Sequence, residues 1–423
     1  MPRLSATVIH WFAATWLVLL TLLAPRLAAA PFVPSGQPAD NLSASIVTFQ
    51  PGSLYWQRFG HNALLIRDVA RGRAISFNYG IFDFAAPNFF LNFARGHMTY
   101  RVVPNHLERD LLNYQAEGRW ALEQRLNLDA RQIGLLRDYL EWNVQPENAE
   151  YGYDYFISNC STRVRDALDY AMAGGLKPQL VGHPTAATWR SEATKLISPD
   201  ALLMVVMDLA MGPTADQPID LWQQSFAPLA LMQALRGTTV TDSAGRVRPL
   251  VSYEARLLPG GRANDPPARA PDLRLQFLLA GLALAAILIG LAKFRGAATA
   301  RWLLMPIAVG FSLLCGFGGV LLMLLWLATE HWAAWRNESL LLVNPLSLWL
   351  AASLLLYPRP RWRPALWTRR IALLLVATSV IAVLLRYLPG ATQENLHWAL
   401  LLLPVHAALA WLFWHAKKPA DEL

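Results

Sequence analysis

Five apolar runs crowd the last third of the chain, at residues 274–292, 302–328, 339–357, 371–388 and 396–414. Crossing a hydrocarbon core of about 30 Å takes roughly 20 such residues in a helix, so the sequence predicts five membrane spans. The joining stretches are short enough for their basic residues to report orientation. Lys293, Arg295 and Arg301 lie between the first two runs, and Glu330, Arg336 and Glu338 between the second and third. Arg359, Arg361, Arg363, Arg369 and Arg370 follow the third, Glu394 alone the fourth, and Lys417 and Lys418 the last. Cytoplasmic, outside, cytoplasmic, outside, cytoplasmic is the assignment that fits, and it places residues 31–273 outside.

The other end of the chain agrees. Arg3 precedes an apolar run from Val8 to Leu23 and then Leu27-Ala28-Ala29-Ala30, the pattern of a signal peptide or retained signal anchor over residues 1–30. The formal net charge of +8 would admit a nucleic-acid partner. Its placement argues against one: residues 31–273 carry 22 basic and 24 acidic side chains, while residues 274–423 carry 13 and 5. The excess cation fixes topology.

The stretch expected outside reads as an α+β domain over 31–239, with 240–273 as an irregular linker to the membrane domain at 274–423. Leu42–Phe49, His61–Asp68 and Ala74–Tyr79 are β-branched-rich or alternating, and Val69-Ala70-Arg71-Gly72-Arg73 reads as a hairpin turn. Met98–Val103 is a further expected strand. Helical spacing takes over at Leu107–Glu117, Asp129–Trp142 and Cys160–Met172, the last closed by Gly174-Gly175.

The chain has two cysteines. Cys315 falls inside the second span, which leaves Cys160 as the only thiol of the outer domain, so no disulfide can form there. At the first turn of a helix, free N–H groups and the positive end of the macrodipole favour a thiolate and an oxyanion. An inert buried cysteine fits the spacing equally well. Of His61, His97, His106 and His183, the first opens a strand; a turn around Ala70-Arg71 sets it opposite Gly80, with Asn78 on the same face, able to orient the imidazole. No pair of these histidines has zinc-site spacing, and no metal or other cofactor is expected.

Phe49-Gln50-Pro51-Gly52-Ser53-Leu54-Tyr55, Phe59-Gly60-His61, Asn78-Tyr79-Gly80-Ile81-Phe82-Asp83-Phe84, Pro87-Asn88-Phe89 and Phe93-Ala94-Arg95-Gly96 resemble the N-terminal periplasmic domain of the Lnb family of bacterial lipoprotein N-acyltransferases. So does Tyr153-Asp154-Tyr155-Phe156, followed by Asn159-Cys160-Ser161-Thr162-Arg163. His331 and the Asn337 to Leu346 stretch extend the resemblance into the membrane half. Phe49 stands where many relatives are expected to have cysteine.

The resemblance implies a circularly permuted papain-like domain, related to NlpC/P60 enzymes, on an all-α domain of five transmembrane helices in the bacterial inner membrane. It implies that Cys160 takes an acyl chain from a membrane phospholipid as a thioester and passes it to the α-amine of a lipoprotein's N-terminal diacylglyceryl-cysteine. His61 would be the base and Asn78 its orienting partner. N–H groups at Cys160 and Ser161, with Asn159 and Arg163 alongside, would hold the oxyanion. Glu330, His331, Asn337 and Glu338 form a polar cluster at the expected outer interface beside Trp326, Trp332 and Trp335; either it is a wet loop, or His331 and Glu338 orient a headgroup or the acceptor amine. A membrane-anchored thiol hydrolase of the same fold and a non-catalytic sensor or scaffold remain open on the residues alone.

Overall fold

The computed structural model describes residues 32–388, 390 and 393–416. The leader expected at 1–30 and the tail lysines Lys417 and Lys418 lie outside the described residues. Along the chain come β1 (Leu42–Phe49), β2 (His61–Asp68), β3 (Arg73–Ile81), α1 (Phe89–Arg95), β4 (Met98–His106), α2 (Leu107–Ala116), β5 (Ala121–Leu126), α3 (Ala130–Asn143), β6 (Glu150–Tyr153) and α4 (Cys160–Ala171). Then follow α5 (Lys177–Leu180), β7 (Pro184–Thr188), α6 (Trp189–Ile197), α7 (Ala201–Ala210), β8 (Pro218–Asp220), α8 (Leu221–Gln224), α9 (Pro228–Arg236), β9 (Thr239–Thr241), β10 (Val247–Pro249) and β11 (Val251–Leu258).

Seven strands form one sheet in the order β11-β5-β1-β2-β3-β4-β6, every neighbouring pair antiparallel. Successive side chains of a strand point to opposite faces, and here both faces are covered. Ile46, Leu64, Phe77 and Tyr79 pack with Leu136 and Leu140 of α3 and Val164 and Leu168 of α4. Val47, Phe49, Ala63 and Leu65 pack on the other face with Leu107 and Leu111 of α2. The continuous apolar character of β1 and β2 is the consequence.

β11 corrects the expected linker. Val251–Leu258 is an edge strand on β5 rather than irregular chain. Ser252, Tyr253 and Glu254 are exposed, so the strand lacks the apolar alternation that would mark it.

Four helices are long and apolar enough to cross a membrane among the described residues: α10 (Arg274–Lys293), α11 (Ala298–Ala328), α13 (Leu366–Leu385) and α14 (Leu396–Trp414). The run at 339–357 corrects the count of five helices. It consists of a 3-10 turn at Glu338–Leu341, an irregular stretch, and only eight helical residues, α12 (Ser347–Leu354). Pro345 has no N–H to continue a helix, and Asn344 satisfies freed backbone groups, donating to Leu340 O and accepting from Leu346 N. Glycines of α11 make room for this backbone: a Cβ on Gly319 would lie 2.6 Å from Pro345 Cδ, and one on Gly316 2.5 Å from Leu348 Cδ2. Non-helical backbone at membrane depth is tolerable when protein buries it in this way. The segment still runs end to end, because Arg301 Nε donates to Pro358 O and Arg295 Nη2 to Trp362 O at the end opposite the α/β domain.

Candidate active site at the open end of the sheet

The β2–β3 ladder stops at Ala63 opposite Asn78. Beyond that pair β3 changes register against β4 between Asn78 and Ile81, and Gly80 takes φ +86°, a left-handed conformation that suits glycine. The first turn of α4 closes on this end of the sheet. A Cβ on Gly80 would stand 3.5 Å from Cys160 Cβ and 3.7 Å from a ring carbon of Tyr153.

Asn159 is the N-cap of α4. Its Oδ1 accepts from the N–H groups of Ser161 and Thr162, both at 2.9 Å, and its Nδ2 donates to Tyr155 O and Phe226 O. Ser161 is structural as well: its Oγ donates to Ser225 O at 2.6 Å and accepts from Asn62 Nδ2 at 3.1 Å. Asn62 in turn accepts from Thr48 Oγ1 at 2.8 Å, so one buried polar chain fastens the helix start to β1 and β2. Neither side chain is free to hold an oxyanion. The first-turn N–H outside the cap is that of Cys160, which faces its own sulfur.

The thiol of Cys160 receives the backbone N–H of Asn62, the residue after His61. Burial outweighs this and the other N–H contacts, and pushes the thiol up to about 11. His61 is half-buried at the start of β2, and burial lowers its pKa below 6.5, against the Asn78 hydrogen bond and the Asp110 charge, which act to raise it. Both shifts favour the neutral forms of the thiol and of the imidazole at rest.

Asn78, on the face of Ala63 and His61, stands 2.9 Å from His61 Nε2 through its Oδ1. The amide cannot be turned round, since its Nδ2 donates to Asp110 Oδ2 at 2.9 Å. Nε2 therefore carries the hydrogen, and Nδ1 is left as the base. The ring also stacks on Phe49, centroids 6.0 Å apart, and Phe49 on Tyr114 at 3.8 Å. Asp110, on α2, is a group the sequence reading missed. It accepts from Ser76 Oγ, from Asn78 and from Asn105 Nδ2, and is buried.

Three other expected site residues have partners of their own. The Arg163 guanidinium lies over the Tyr151 ring, 4.3 Å from its centroid. His331 Nε2 donates to Phe93 O at 3.0 Å, with its ring stacked on Tyr155. Glu338 lies near Asp216 and Arg386 and is raised above the usual carboxylate range by burial and then by Asp216. His331 and Glu338 thus serve different contacts. Trp332 is no part of an interfacial belt: its Nε1 donates to Asp154 Oδ2 at 2.7 Å and its ring packs on Phe156 and Trp189 of the α/β domain.

These contacts belong to a clamp between the two parts. Glu330 N donates to Arg95 O, Gly212 N to Ala333 O, and Asn337 Nδ2 to Leu209 O. Arg190, 6 % exposed, is held by Asp208 and Asp216, and Asp208 Oδ2 also accepts from His397 Nε2 at 2.6 Å and Trp398 Nε1 at 2.7 Å at the start of α14.

No curated protein and no solved structure matches the chain. Residues 36–194, which hold Cys160, His61, Asn78 and Asp110 and end before the membrane part, match the family model described as the Lnb N-terminal periplasmic domain, and this supports Lnb-type membership.

Proposed function

We propose that the protein is a lipoprotein N-acyltransferase of the inner membrane, with the α/β domain on the periplasmic side and a circularly permuted papain-like plan. The observation that carries the reading is the backbone N–H of Asn62, next in the chain to the Asn78-held His61, reaching the Cys160 thiol at a capped helix start, on an end of the sheet clamped to membrane helices. In the first half-reaction His61 Nδ1 takes the thiol proton as sulfur attacks the ester carbonyl carbon of a phospholipid. The carbon–oxygen bond breaks, the proton passes to the departing alkoxide, and a thioester remains on Cys160. In the second, the α-amine of a diacylglyceryl-cysteine attacks the thioester, the carbon–sulfur bond breaks, and a proton released by the amine returns to sulfur through His61. The N–H of Cys160 supports the oxyanion in both.

The test is mass spectrometry of lipoprotein N-termini after incubating the full-length protein with phospholipid vesicles and a diacylglyceryl lipopeptide. A gain of one acyl chain that requires Cys160 is the expected result, with Cys160→Ala inert. Free fatty acid with an unchanged lipopeptide would identify a thiol hydrolase, and full activity of Cys160→Ala would end the thiol mechanism.

A further inference from the structure

The chain around the site exposes aromatic rings that a water-facing domain would bury. Residues 81–94 contain one charged side chain, Asp83, and residues 49–57 none. Trp56, Phe84 and Phe90 are 42 %, 43 % and 69 % exposed. Trp56 and Phe90 both pack on Phe84, with centroids 5.6 and 6.2 Å away, so the three rings form one ridge. Contiguous apolar surface of this kind marks an interaction site.

Two continuities identify what lies on it. Toward the thiol, Phe84 packs on Phe82 at 5.0 Å, Phe82 on Tyr100 at 5.1 Å and Tyr100 on Tyr153 at 4.2 Å. Tyr153 flanks the Gly80 position, which also touches Cys160. Toward the membrane, α1 continues directly from the ridge and its C-terminal carbonyls, Phe93 O and Arg95 O, accept from His331 Nε2 and Glu330 N. Those residues follow the end of α11 by two and three positions, just past Leu327, which is 70 % exposed. α11 has 31 residues and is about 46 Å long against a core of about 30 Å, enough for this end to reach headgroup level.

We infer that this ridge, with the ring path through Phe82, Tyr100 and Tyr153, is the seat of the hydrocarbon chain of the lipid acyl group that reaches Cys160. The inference rests on the acyl-transfer reading and names the part of the site that would select its substrate. A chain lying on the ridge leaves the outer leaflet beside α11 and points toward the thiol along a row of packed rings, of which Tyr100 is buried. The absence of cationic side chains in both segments matches a hydrocarbon rather than a headgroup phosphate.

The test uses thiol reagents that need no acyl transfer. Full-length protein carrying Cys315→Ala, in phosphatidylcholine nanodiscs, is treated with methyl and with hexyl methanethiosulfonate, and the rates of Cys160 modification are compared. In the triple variant Trp56→Ser, Phe84→Ser, Phe90→Ser, the hexyl-to-methyl rate ratio should fall about tenfold, roughly the worth of two methylenes, with the methyl rate retained. Membrane partition of the hexyl reagent is common to both proteins and cancels. An unchanged ratio overturns the inference, including the case in which both rates fall together. If the ratio falls while lipopeptide acylation is absent, the chain seat stands and the transferase reading fails.

Discussion

Asp110 Oδ2 holds Asn78 Nδ2 at 2.9 Å, and that contact decides which nitrogen of His61 bears the proton. A carboxylate can only accept, so Asn78 must turn its oxygen to the imidazole. Asp110→Asn removes this compulsion by letting either end of the amide face either neighbour. Acylation should fall about 10- to 100-fold in kcat with KM little changed, and Asn78→Ala should do the same. Because both act through His61, the double variant should be scarcely worse than either single one. Multiplying losses would mean that the two residues act separately.

The neutral forms of the thiol and the imidazole have a pH signature. Cys160 is pushed up to about 11 by burial, from an ordinary 9.0, and burial lowers His61 below 6.5. Iodoacetamide alkylation of Cys160 in a Cys315→Ala background should therefore keep rising with pH toward about 11, with no plateau at acid pH. A resting thiolate–imidazolium pair would give such a plateau. Stability follows by linkage: above pH 9 the unfolded chain releases the thiol proton that the folded one retains, so stability declines from there. Below pH 6.5 the unfolded His61 takes up a proton that the folded state resists, so stability also declines on the acid side.

Gly80→Ala should disable the site more than the fold. A side chain at φ +86° costs on the order of 1–3 kcal/mol, visible as a modest fall in the unfolding midpoint. Relief of that strain moves the end of β3 against Cys160, so acylation should fall more than a hundredfold. Near-normal activity would show that the close approach of β3 to α4 does not set the thiol's position.

Asp208→Asn tests the clamp. It leaves Arg190 with one carboxylate partner and takes the anionic acceptor from His397 and Trp398, in a site where Asp208 and Arg190 are almost fully buried. Breaking one partner of a buried ionic network costs about 3–5 kcal/mol. Limited proteolysis near residues 260–273 should accelerate and thermal unfolding of the full-length protein should begin earlier. No change in either would show that the remaining interdomain hydrogen bonds suffice.

Strands β1 to β4 and the His61–Asn78 contact were legible because they rest on short-range patterns. A turn at Ala70-Arg71 sets the β2–β3 register, and the observed Ala63–Asn78 pair obeys it. Asp110 was not legible, since one aspartate in Leu107–Ala116 looks like part of a solvated helix face until the sheet buries it. Arg163 and Ser161 follow the thiol in sequence, yet the guanidinium stacks on Tyr151 of the preceding strand and the hydroxyl is taken by Ser225, far along the chain. The run at 339–357 had enough apolar residues to span, but composition does not reveal that Pro345 and the glycines of α11 would set its backbone path. Trp332 was misplaced for a related reason: the aromatic-belt rule assumes lipid neighbours, and this ring found the domain core instead.

The clamp also determines how the reactants arrive. Loop 330–337 and the start of α14 grip the α/β domain at Arg95, at Asp154 and at residues 208–212, three places far apart in sequence. A domain held this way cannot reach out to collect a substrate, so the thiol keeps one height above the bilayer, and the two lipids of the proposed transfer would have to drift to it in the plane of the leaflet. The quantity that drives the reaction is then mole fraction in the surface rather than molarity. Diluting both substrates with inert lipid or detergent, at constant bulk concentration, should slow the enzyme as surely as withholding them.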